Sequence, residues 1–268
     1  MSATESMRNE IQERPVMAYQ PAAAGRLLAA ARSYLDHGDR LVYSFGSRTF
    51  LSGYDIFDGE RRGYIDCSTF VLLVLAGISY RESPYATGTA EGLRARPGFG
   101  AAAEQGRVSE LFDFSDLPKA YVGIAERIGR PYLAGPKGLD LKKAAELGIG
   151  MDTLGEEIRR SGGRRRSEQI ARYYLDRGGC FSDPSCLRPG DLAFYLSSGI
   201  FTEGDEAFPA ERTVNHVGIV SEDTDVMINS TGFVPADEGE QETEVRPGVS
   251  LIAVFGRRIP AFFARPYS

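Results

Sequence analysis

Residues 64–78 read Tyr-Ile-Asp-Cys-Ser-Thr-Phe-Val-Leu-Leu-Val-Leu-Ala-Gly-Ile, a polar cluster set against an unbroken apolar run. From Phe70 to Leu75 no residue is polar, so this element has no face to offer to water. An amphipathic surface helix would alternate, whereas this one must be enclosed on all sides. Asp66, Ser68 and Thr69 are N-terminal capping residues, and Gly77 supplies a stop. The pattern predicts a central buried helix with Cys67 at its N-terminus. The unpaired N–H groups and positive dipole end converge there and favour a thiolate. Two readings of Cys67 stay open on this stretch alone: a small buried apolar residue, or a reactive nucleophile.

Enclosing such a helix needs a sizeable core, which 268 residues can supply. Residues 1–20 read as a flexible lead-in and 21–268 as a single domain, with a helical insertion at about 81–180. The Ala/Leu-rich segment 21–38 reads as a helix, and the glycine-punctuated segment 40–63 as a structured loop. Residues 83–100 form a Gly/Pro/Arg loop, followed by short helical pieces at 108–129, 140–149, 153–162 and 166–179. After Cys186 the period drops to two. Strands are predicted in 187–196, 215–222, 225–232 and 249–259. Helices first and antiparallel strands afterwards make an α+β layout.

The net charge of −6 argues against nucleic acid as a partner. Arg159, Arg160, Arg164, Arg165 and Arg166 read as a solvated helix end, with an anion site as the alternative. No stretch is long and apolar enough to span a membrane, and the first 25 residues carry no signal-peptide core. These features predict a cytoplasmic protein and leave open export that needs no cleavable signal. Cys67, Cys180 and Cys186 do not make a disulfide framework, although Cys180 and Cys186 could bridge in an oxidising compartment. A zinc site does not fit, because the only two histidines lie far from that pair in sequence. No metal or cofactor is expected.

A nucleophilic cysteine needs a base, and the base needs a group to orient it. His37 closes the first helix and reads as a surface residue, whereas His216 begins a strand. If the turn after that strand has an even length, Val217 pairs with Ile228 and Ile219 with Val226, giving one wholly apolar face. The same register sets His216 directly opposite Asn229, with Cβ atoms about 4.5–5.5 Å apart. Each residue alone could simply be satisfied by backbone. Together, Cys67, His216 and Asn229 match a Cys-His-Asn constellation.

The segment from Asp66 to Ile78 resembles the nucleophile motif of NlpC/P60 cysteine peptidases, which usually begins Asp-Cys-Ser-Gly-Phe-Val. Residues 187–195 are similar to that family's Pro-Gly-Asp-Leu-Val-Phe strand, and 215–220 to its His-Val-Gly-Ile strand. Residues 226–232 fall where the family supplies its third polar residue. Residues 41–47 resemble its upstream Tyr-containing segment, and 255–259 its closing strand. Thr69 stands where the family has Gly, and Asn229 where His is commoner. The resemblance spans roughly 25–80 and 185–260, and the middle is longer than the family's usual link.

The resemblance implies a papain-like α+β fold and thiol hydrolysis of an amide bond in peptidoglycan-derived peptides, usually γ-D-Glu–diamino acid. Cys67 would be nucleophile, His216 general base and Asn229 its orienter. Tyr43, Asp66 and Ser68 match positions that engage a substrate's free amino end. The implied partner is a peptide substrate; oligomeric state is not readable. A papain-like acyltransferase or thioesterase, and a non-catalytic binding module, are the alternatives.

Overall fold

The computed structural model describes residues 11, 16–43, 57, 59–88, 134–135, 138–139, 166–196, 214–231, 248–256 and 259–266. Helix α1 is Pro21–Leu35, and strand β1, Leu41–Tyr43, lies parallel to β2, Gly63–Ile65. Helix α2 is Cys67–Leu75, followed by a single helical turn α3, Pro84–Thr87. Strands β3 (Ala134–Gly135) and β4 (Gly138–Leu139) form a small antiparallel pair, and α4 spans Arg166–Arg177. The remaining strands are β5 Cys180–Phe181, β6 Leu192–Leu196, β7 Val214–Val220, β8 Val226–Asn229, β9 Ser250–Ala253 and β10 Phe262–Ala264.

These last six strands form one antiparallel sheet in the order β5-β10-β6-β7-β8-β9. The α+β layout with an antiparallel sheet is therefore present. Within 40–63, read as a loop, the two ends are instead strands. Their pairing is long-range and leaves no period in three residues. In the middle segment, β3 and β4 fall in the Gly/Pro-containing break between the helical pieces expected at 108–129 and 140–149. The helical pieces at 108–129, 140–149 and 153–162 lie outside the described residues, as do the side chains of the arginine cluster. No helix among the described residues is long and apolar enough to cross a membrane.

Every residue of α2 is buried. Its Val and Thr content is unremarkable for a helix, so enclosure and not propensity holds it together. Each large apolar side chain contributes about 1.5–3 kcal/mol when removed from water. Gly77, at φ 75°, closes the helix: its N–H donates to Val74 O and that of Ile78 to Leu73 O. That is a Schellman stop, and it requires the left-handed conformation that glycine adopts without strain. Tyr34 of α1 meets Phe70 edge-on at 5.7 Å. One core cluster joins α1, α2 and α4 to Phe194, Val217, Ile219 and Ile228 on the sheet.

The opposite sheet face has its own cluster, including Phe181, Ala193, Tyr195, Val220, Met227 and Val254. Tyr195 on β6 donates its hydroxyl hydrogen to Val254 O, just beyond β9, at 2.9 Å. These strands are three spacings apart, about 14 Å in a flat sheet. The contact is made only because the sheet curls, with Tyr195 inside the curl and the helices outside it.

One buried ion pair pins the chain ends to this sheet. Arg265 donates through Nε and Nη2 to the two carboxylate oxygens of Asp191, each at 2.9 Å. Its other donors reach Cys186 O and Met17 O, the latter inside the stretch read as a lead-in. Burial pushes the Asp191 carboxyl up and outweighs the pull of Arg265 downward. The pair therefore sets position more than it adds stability, yet it is costly to break. Arg265→Met is expected to lose about 3–5 kcal/mol in urea unfolding by stranding Asp191. A loss below about 1 kcal/mol would show that the carboxylate does not depend on this partner.

Candidate active site

Asp66 caps α2 from extended backbone (φ −124°, ψ 171°). Its Oδ1 accepts the Thr69 N–H at 2.7 Å and the Ser68 hydroxyl at 2.9 Å. Cys67 is thus the first residue of the helix, at its positive dipole end, and is 7% exposed. Thr69, which replaces a glycine in the resembling motif, is fully packed and provides the capping N–H.

Tyr43 lies in register with Ile65, one residue before Asp66. The parallel β1–β2 pair therefore delivers Tyr43 to the start of α2. Tyr43 is thus paired with Ile65, while Asp66 and Ser68 flank Cys67 in the chain. Asp66 and Ser68 also serve the cap, so any substrate contact would be added to that work.

The other end of this neighbourhood comes from the sheet. The start of β7 and the end of β8 share one end because the strands are antiparallel. The Ser230 hydroxyl, just after β8, lies 3.5 Å from Ile65 O. The Gly248 N–H, just before β9, donates to both Gly38 O and Leu41 O at 3.0 Å. A Cβ at Gly248 would sit 2.6 Å from the Leu41 carbonyl carbon, so only glycine permits this approach. The N-terminus of α2 is thereby brought to the sheet end where β7 begins and β8 finishes.

The even turn holds, but the register expected for the hairpin is corrected by two residues. Ile219 pairs with Ile228 and Val220 with Met227. Ser221 N–H donates to Val226 O, and the Ser221 hydroxyl to Asp223 O. The Asp225 N–H donates to the Asp223 side chain. These bonds centre the turn one residue further along the chain than the expected pairing would. Continuing the ladder puts Asn229 opposite Gly218, consistent with the 3.3 Å from a Gly218 Cβ to that of Asn229. His216 and Asn229 are therefore diagonal neighbours on one face and not directly opposite.

His216 pairs across β6 with Tyr195, and their rings are 5.7 Å apart. A bulge follows, in which Leu196 pairs with Val214 and Asn215 is the extra residue. Without it Val214 and His216 would share a face. With it, Val214 packs in the helix-side core while His216 stands on the Tyr195 face. Since α2 covers the other face, Cys67 and His216 would meet around the end of the β7–β8 pair, not across it.

Asn229 is 0% exposed and its Oδ1 has no hydrogen-bond partner among the described residues. Its Nδ2 lies 3.5 Å from Ser250 O. Such an acceptor is costly to bury, and a neighbouring imidazole N–H would satisfy it. His37 is held elsewhere, with Nδ1 at 2.8 Å from Ser33 O and its ring stacked on Tyr80. No disulfide joins Cys180 and Cys186. No group of three or more His, Cys, Asp or Glu among the described residues is placed to hold a metal ion. A cleft of about 590 Å³, lined by Arg40, Phe57, Arg61, Arg62, Tyr80 and Tyr85 among others, includes none of the expected site residues.

Sequence reasoning missed Tyr195, although alternation along β6 from Leu192 already sets it apart from the helix-side positions. Compared with protein-family models, with curated proteins and with solved structures, the chain matches none. The motif resemblance therefore rests on the residues themselves.

Removing the Asp66 carboxylate strips α2 of its cap and leaves the Thr69 N–H buried without an acceptor. Asp66→Ala is expected to cost about 1–2 kcal/mol in chemical unfolding. An unchanged midpoint would show that the cap does not hold this helix end.

Proposed function

We propose that the protein is a thiol hydrolase of the NlpC/P60 kind, cleaving an amide bond in short peptidoglycan-derived peptides with Cys67, His216 and Asn229. The observation that carries the reading is Asn229, fully buried with an Oδ1 unsatisfied among the described residues, on the same face as His216 and on the neighbouring strand. The capped helix start supports it from the other side. It offers a rigid thiol at a positive helix end, with Asp66 and Ser68 flanking it and Tyr43 paired to the strand that leads into the helix.

In this reading His216 takes the thiol proton, and the Cys67 sulfur attacks the scissile carbonyl carbon. The oxyanion forms next to the Cys67 N–H at the positive start of the helix. The C–N bond breaks as His216 returns the proton to the leaving amine, giving a thioester. Water, deprotonated by His216, then hydrolyses the thioester and restores the thiol. Asn229 accepts a hydrogen bond from the imidazole and fixes its orientation throughout. Tyr43, Asp66 and Ser68 would engage the amino end of the peptide. The γ-D-Glu–diamino acid bond is the substrate that the motif resemblance suggests.

The test is incubation with L-Ala-γ-D-Glu-diamino acid peptides and product analysis by mass spectrometry. Wild type is expected to cleave, Cys67→Ala to be inactive, and His216→Ala to lose about 10²–10⁴-fold in kcat. Cleavage by Cys67→Ala, or none by wild type, contradicts the proposal.

A further inference from the structure

We propose that Tyr195 is a positioning residue for His216, a wall that holds the imidazole in one orientation and one tautomer toward Asn229. The proposal rests on the reading of His216 as the base. Tyr195 is the cross-strand partner of His216, with ring centroids 5.7 Å apart and planes at 49°. Cross-strand neighbours on one face are the contacts that most directly set each other's rotamers. The Tyr195 ring is itself fixed at its far end. Its hydroxyl donates to Val254 O at 2.9 Å and lies 3.4 Å from Met227 Sδ, and the residue is 2% exposed.

Alternation with Val217 and Ile219 turns His216 away from the helix-side core, onto a face it shares with Tyr195, Ala193, Gly218 and Met227. Ala193 and Gly218 offer no bulk to hold an imidazole. Its described cross-strand neighbour Tyr195 does. An orienting amide defines one ring nitrogen, but it does not stop the ring rotating out of plane; a packed aromatic face does. Tyr195 thus acts through His216, without touching substrate.

With only two histidines in the chain, imidazole NMR of the full-length protein reads this directly, with His37→Gln assigning the signals. At a pH where His216 is neutral, wild type is expected to show one tautomer, with well-separated ring-nitrogen shifts. Tyr195→Phe, which keeps the ring, should match it. Tyr195→Leu should bring the two nitrogen shifts together, and in the peptide assay lower kcat by about 10–10²-fold at nearly constant KM. Tyr195→Met, which keeps apolar bulk, carries the same expectation should the Leu variant fail to fold. Averaged tautomers in wild type overturn the proposal, as does a Leu or Met variant with wild-type nitrogen shifts. An inactive wild type with a single, Tyr195-dependent tautomer would instead refute the hydrolase reading and leave the positioning role standing.

Discussion

The rest of the structure is arranged around the total enclosure of α2. Six consecutive apolar residues, all buried, can be satisfied only by walls on every side, and α1, α4 and the sheet are those walls. Enclosure has a second consequence. A helix that cannot turn or slide presents its N-terminus in one place, and the Asp66 cap defines the backbone there to the residue. Cys67 owes its position to the greasy turns behind it more than to anything it touches.

The sheet solves the complementary problem. Val217, Ile219 and Ile228 complete the wall against α2, so their strand cannot offer a polar residue on that face without opening the core. Strand alternation places polar His216 and Asn229 on the inner face of the curl reported by the Tyr195–Val254 hydrogen bond, and the bulge at Asn215 returns Val214 to the apolar outer face. The nucleophile and its proposed base thus come from opposite layers and would meet only at the rim of the sheet. The Asp191–Arg265 pair secures the opposite end of the sheet, where β6 begins and β7 finishes.

What could be read in the sequence was what is decided locally. The Phe70–Leu75 run, the Asp66 cap and the Gly77 stop are written within a dozen residues, and each is present as expected. The strands of the sheet's centre were legible from their period, as was the parity that keeps His216 and Asn229 on one face. Register was not, because it depends on how Ser221 and Asp223 side chains close the turn. Strands of two or three residues, β1, β5 and β10, exist only through partners distant in sequence. The roles of Tyr195 and Arg265 were hidden for the same reason: each is defined by what the fold brings to it.

The central claim is that Cys67 at the helix end and His216 at the sheet end act as one thiolate–imidazole unit. Its most direct test is the pH dependence of Cys67 alkylation, followed by peptide mass spectrometry to separate it from Cys180 and Cys186. The account predicts a half-maximal rate at least about one pH unit below the ~8.5 of an ordinary thiol, and a return toward ~8.5 in His216→Ala. A wild-type midpoint at about 8.5 or above, or a profile that His216→Ala leaves unchanged, would contradict it.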